Sequence, residues 1–233
     1  MAPELAQLAL PVHLRDDATL ENFLFSESLG PLLPMLEQQT GLDGEPSIFL
    51  YGPPGSGRSH LLQGACHALS SGDALYLPMD QLSAMAPDQV LDGVEVLSRV
   101  CLDNVHAIAG DPDWETALFH FVNRARERGC RLLLSADAAP RQLNIALPDL
   151  ASRLSWGVVF QLPAPTDPDK LAILRFRAAR RGLQLEDEAA RYILSRAPRA
   201  MSALMDLLEQ LDRDSMALQR TLTVPFIKAR LGW

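Results

Sequence analysis

Gly52-Pro53-Pro54-Gly55-Ser56-Gly57-Arg58-Ser59 is the stretch on which the fold turns. It has the spacing G-x-x-x-x-G-K-[ST] of a phosphate-binding loop, except that arginine stands where lysine is usual. Such a loop works because its glycines let backbone N–H groups converge on phosphate oxygens, while the helix that follows presents its positive end. The flanks have the matching character, since SIFLYG (47–52) reads as a strand and RSHLLQGACHAL (58–69) as an apolar-periodic helix. Pro54, Gly55, Ser56, Gly57, Arg58, Ser59 and the adjoining His60 are therefore the candidate nucleotide contacts, with the Ser59 hydroxyl directed to Mg2+.

Arg58 alters the chemistry without removing it. A guanidinium is planar, forked and wider than an ammonium group, so attraction for phosphate survives while the fit between β- and γ-phosphates changes. A second phosphate-site element is expected on a buried strand, ending in an acid that helps to hold Mg2+. Val100-Cys101-Leu102-Asp103-Asn104 supplies it, with Asp103 as the acid. Asn104 then stands where many ATPases of this architecture carry a glutamate that polarises the attacking water, and an amide cannot act as that base. The two departures together predict a protein that holds a nucleotide and has weak or no hydrolysis of its own.

Outward from the loop, strand-like runs recur at ALYLPM (74–79), RVCLDN (99–104), RLLLSA (131–136) and VVFQLP (158–163). Their near-continuous apolar character is that of parallel strands covered on both faces. Helical patterns separate them. The clearest opens at Asp111-Pro112, a cap followed by proline, carries Trp114, Leu118, Phe121 and Ala125 at helical spacing, and stops at Gly129. The alternation predicts an α/β domain over 19–164, a five-stranded parallel sheet flanked by helices. Beyond Pro163-Ala164-Pro165 the strand pattern ceases, and amphipathic helices predict a small all-α lid over 165–233. Its first helix groups Arg175, Arg177, Arg180 and Arg181, read as a solvated face. Residues 1–18, interrupted by proline and ending in charge, read as a flexible tail.

The composition narrows the function classes. With 233 residues and 48% hydrophobic content the chain can bury a core. Twenty-one basic against 29 acidic residues give a net charge of −8, so no bulk attraction to DNA phosphates is available, and any link to DNA would run through another protein. Cys66, Cys101 and Cys130 form no C-x-x-C pair and read as buried thiols in a reducing cytoplasm. Neither a signal peptide nor a membrane-spanning stretch is evident, which predicts a cytoplasmic protein. The histidines show no metal-ligand spacing.

Taken together, these motifs resemble the AAA+ ATPases, in particular the branch of the replication initiator DnaA, from about residue 18 to residue 231. LENFLFSES (20–28) resembles the segment beside the adenine in that family, which makes Leu20, Phe23 and Leu24 candidate base-packing residues. LLSAD (133–137), with Ser135 and Asp137, resembles the polar sensor at the end of the fourth strand. Leu150-Ala151-Ser152-Arg153-Leu154-Ser155-Trp156-Gly157 is similar to the S-R-x-x-W-G segment whose arginine is a finger reaching a neighbour's nucleotide. Arg199, in APRAMSAL (197–204), matches the lid arginine of the second sensor.

Residues 200–233 leave no room for the helix-turn-helix DNA-binding domain that follows the lid in DnaA, so none is expected. Gln7-Leu8-Ala9-Leu10-Pro11-Val12 resembles the extended peptide by which bacterial proteins dock on the DNA polymerase III sliding clamp, its beta subunit. Gln7, Leu8, Leu10, Pro11 and Val12 are its candidate contacts. The resemblance implies a DnaA-related regulator of replication initiation that holds ADP or another nucleoside diphosphate, with Mg2+ as an optional companion. It would dock on the clamp, meet DNA only through it, and offer Arg153 in trans to ATP-loaded DnaA, leaving inactive ADP-DnaA and preventing re-initiation. Self-association as a homodimer stays open. The alternative is a self-sufficient AAA+ ATPase of the helicase-loader type, against which Arg58 and Asn104 speak.

Overall fold

A computed structural model describes residues 14–41, 43–69, 72–218 and 220–233. The chain divides into two compact units between Leu162 and Pro163, two residues ahead of the expected boundary. Among the described residues the first unit holds a five-stranded sheet of β1 (Ser47–Tyr51), β2 (Ala74–Pro78), β3 (Arg99–Asp103), β4 (Arg131–Ala136) and β5 (Val158–Gln161). The strand order is β2-β3-β4-β1-β5, and every pairing is parallel. The helices of this unit are α1 (Leu32–Gln38), α2 (Arg58–His67), α3 (Met79–Leu82), α4 (Pro87–Leu91), α5 (Pro112–Arg128) and α6 (Pro148–Leu154).

Strand alternation sorts the core into two layers. Phe49, Val100, Leu102, Leu132 and Leu134 pack with Trp114, Leu118 and Phe121 of α5. Their neighbours in sequence, Ile48, Leu50, Cys101 and Leu133, pack with Leu32 and Leu36 of α1 and Leu61 and Leu62 of α2. Both faces are thus covered, which is why β3 is buried along its whole length. At the sheet edge β5 departs from that pattern: it ends at Gln161, short of the expected run, and alternates, leaving Val159 39% exposed.

The signals read at α5 operate as expected. The Asp111 carboxylate accepts the Asp113 and Trp114 N–H groups, Pro112 takes the first turn, and Gly129 closes the helix at φ 75°. Arg99 is a less expected core residue. Its guanidinium donates to the carbonyls of Ala65 (2.6 Å) and Leu36 (2.7 Å), satisfying the C-terminal ends of α2 and α1 from inside the sheet. Packing begins ahead of residue 19: the Arg15 N–H donates to Gln63 Oε1 at 2.9 Å and Ala18 is buried. The clamp-peptide residues Gln7, Leu8, Leu10, Pro11 and Val12 lie outside the described residues.

The second unit contains α7 (Asp167–Arg180), α8 (Asp187–Arg196), α9 (Met201–Leu218) and α10 (Val224–Leu231) around its own core of Leu174, Ile193, Leu204, Leu208, Leu211 and Ile227. Thr166 and Asp169 form a capping box at the start of α7. The arginine cluster of α7 is not a uniformly solvated face. Arg177 is only 4% exposed, because it shares the inward face with Leu174 and Ala178 at helical spacing. Arg175 behaves as expected, pairing at the surface with Asp187 at 2.6 Å. Among the described residues no helix is long and apolar enough to cross a membrane. The three cysteines are buried and unbridged.

Candidate nucleotide site and arginine edge

The loop 52–57 leaves the C-terminal end of β1 and enters α2. Gly57 sits at φ +94°, and a Cβ there would lie 2.5 Å from Phe23 Cε2. Only glycine satisfies both the left-handed backbone and this close approach. The segment ahead of the sheet is thereby seated on the loop. The Phe23 ring centroid is 5.5 Å from that of His60, and His60 Nε2 lies 2.8 Å from the Thr19 carbonyl. Gly64 lets the chain come close as well, since a Cβ on it would stand 2.8 Å from the Leu20 N. Leu20 and Phe23 are thus both brought to the loop helix; Leu20 is buried and Leu24 half-buried.

Arg58, the first residue of α2, is 9% exposed, and its Nη1 has no hydrogen-bond partner among the described residues. Burial holds the guanidinium below its usual range, opposed by the charges of Asp103 and Asp137. A desolvated cation with an unmet N–H beside a helix N-terminus is costly unless an anion completes it, and a phosphate has the matching charge and acceptors.

Asp103 closes β3 beside this arginine and is 1% exposed. One carboxylate oxygen accepts the Tyr76 hydroxyl at 2.6 Å, and the other accepts the Ser135 hydroxyl. Burial and then the Asp103 carboxylate push the Tyr76 phenol above its usual range, so it remains a donor. Asn104 takes a left-handed conformation at φ 57°; its N–H donates to Ser135 Oγ at 3.0 Å and its side chain to Asp80 at 3.4 Å. The two sensor candidates therefore separate. Ser135 is locked into the Asp103 group, while Asp137 lies at the surface, 3.8 Å from His106 Nδ1. No motif singles out Tyr76; the signal was a lone tyrosine in an apolar strand next to an acid-ended one. Arg199 lies in the second unit, where it pairs with Asp167 at 3.1 Å.

Arg153, in the last turn of α6, lies elsewhere. Its guanidinium carbon stands 3.8 Å over the Trp156 ring, and that of Arg126, from α5, 4.3 Å from the same ring centroid. These three line a cleft of about 230 Å³ with Ser47, Leu132 and Gly157. Those last residues stand at the beginnings of β1, β4 and β5, whereas the phosphate loop leaves the end of β1. A five-residue strand spans about 16 Å, so Arg153 and the loop of its own chain occupy opposite ends of the sheet. Cys130 also borders this cleft, its thiol pushed up to about 11 by burial and the charge of Glu95. The approach to α6 is pinned by Glu115, a buried carboxylate of α5. It accepts the N–H groups of Gly110 (2.7 Å), Ala146 (3.0 Å) and Leu147 (2.8 Å). In the sequence Glu115 is one acid among several on a helix, with no local signal to set it apart.

Two family profiles match the chain: the bacterial DnaA ATPase domain over residues 37–161, and the lid domain of Hda over residues 167–231. Among solved structures the chain is similar to domain III of the Thermotoga maritima replication initiation protein DnaA, with a TM-score of 0.76 at 20% identity over 95% of this chain and 98% of that one. It is also similar to AMPPCP-bound DnaA from Aquifex aeolicus, with a TM-score of 0.70 at 21% identity over 86% of this chain and 66% of that one. The Thermotoga maritima RuvB Holliday junction branch migration motor follows at 0.67 and 16% identity, over 92% of this chain and 71% of that one. At such identities the likeness establishes the fold: an AAA+ sheet with a helical lid.

Proposed function

The chain belongs to the bacterial DnaA ATPase-domain family, and from that premise we propose that it is a nucleotide-bound regulator of replication initiation acting on DnaA in trans. It holds ADP or another nucleoside diphosphate at the Arg58 loop as a structural ligand. Through residues 7–12 it docks on the sliding clamp of DNA polymerase III, and so reaches DNA only indirectly. Against ATP-loaded DnaA it presents Arg153 to the charge developing on the γ-phosphate, while the attacking water and the remaining catalytic groups belong to DnaA. The product is inactive ADP-DnaA.

One observation supports this reading: Arg153, stacked on Trp156, stands at the end of the sheet opposite its own phosphate loop, so a nucleotide that it reaches would belong to another molecule. A guanidinium offered to a transferring phosphoryl group in this way accelerates hydrolysis by about 10³ to 10⁵ in other systems. The test mixes clamp, DNA, ATP-loaded DnaA and this protein, and follows ATP hydrolysis by DnaA. Arg153→Ala is expected to remove roughly 10³-fold or more of any stimulation. Unchanged stimulation would reject the finger, and steady-state ATP turnover by the protein alone would favour the self-sufficient ATPase.

A further inference from the structure

Tyr76, Ser135 and Asp103 form a buried group that the trans-acting role leaves unused. In a phosphate-loop protein the strand acid helps to hold Mg2+, and the cation in turn offsets the charge of the phosphates. Here Asp103 does not fit that duty. Both of its oxygens accept hydroxyl hydrogens, from Tyr76 at 2.6 Å and from Ser135, and at 1% exposure it presents almost no surface to a ligand. Among the described residues no group of three or more His, Cys, Asp or Glu side chains forms an alternative cation site. The positive charge of the site comes from Arg58, nine-tenths buried at the N-terminus of α2 with Nη1 unpartnered. A guanidinium offers several fixed donors to phosphate oxygens where an ammonium offers a point charge.

We infer that this site binds a nucleoside diphosphate without a divalent cation, Arg58 supplying the charge that Mg2+ would bring and Tyr76 holding Asp103 out of cation reach. The inference rests on the nucleotide-holder reading above and departs from the expectation that Ser59 and Asp103 hold Mg2+.

Calorimetric titration of the full chain, freed of nucleotide, with ADP in excess MgCl2 and again in excess EDTA tests it. The two dissociation constants are expected to agree within about twofold, a difference of roughly 0.4 kcal/mol. Tyr76→Phe returns one Asp103 oxygen to other partners, and in that variant Mg2+ should tighten ADP binding about tenfold. A wild-type affinity that falls about tenfold or more in EDTA overturns the inference while sparing the nucleotide reading. Absence of ADP binding in both buffers overturns both. The wild-type comparison stands even where Tyr76→Phe folds poorly; a folded Tyr76→Phe protein indifferent to Mg2+ would refute the role given to Tyr76.

Discussion

At Gly57 the left-handed backbone and the Phe23 ring impose one requirement from two directions, since φ is +94° and the space for a Cβ is already filled. Gly57→Ala is expected to cost about 1–3 kcal/mol and to weaken ADP binding about tenfold by shifting the loop or displacing Phe23. Thermal melting and titration check it, and a protein with both quantities unchanged would show that the loop and ring are not coupled. Arg58 was legible because it falls inside a contiguous motif whose spacing has a mechanism. Tyr76 was not: its partner Asp103 lies 27 residues on, and a tyrosine in an apolar strand looks like any other strand residue. The same is true of Glu115, whose partners Ala146 and Leu147 are 31 and 32 residues away.

Glu115 shows what the elements do for one another. By accepting the Ala146 and Leu147 N–H groups just ahead of α6, beside that of Gly110 ahead of α5, it ties the helix that bears Arg153 to α5, which bears Arg126. Glu115→Ala would strand those donors, at about 1–3 kcal/mol each if they stay buried, so a loss of roughly 3 kcal/mol or more is expected in urea denaturation. A loss within about 0.5 kcal/mol would mean that the segment re-pairs with water and that the tie is dispensable. The bounds of α5 could be read in advance because Asp111-Pro112 and Gly129 act within one turn of themselves. Arg177 departs from the solvated face expected of the α7 arginines for the converse reason: a count of charges ignores helical phase, and phase turns Arg177 inward beside Leu174.

For the molecule as a whole, the two units are built on separate cores. Every member of the lid cluster, from Leu174 to Ile227, lies beyond Pro163. Residues 163–233 expressed alone are therefore expected to form a helical domain that melts cooperatively by circular dichroism. Leu208→Ala should destabilise it by about 2–5 kcal/mol, much of the stability available to a domain of this size. A broad, non-cooperative melt of the wild-type fragment would show that the lid needs the first unit in order to fold.

The phosphate loop, the alternation of strands and helices, and the change to an all-helical lid follow from the sequence itself, because each rests on periodicity or spacing within a few residues. Tertiary structure alone decided which strand ends of the first unit come together. A parallel sheet sends every phosphate-binding turn to one end and every strand beginning to the other. That separates Arg153 from the loop of its own chain, although both are contiguous motifs. The same lateral pairing of β2, β3 and β4 brings Tyr76 and Ser135 onto Asp103, closing a carboxylate that the sequence alone presents as a holder of Mg2+.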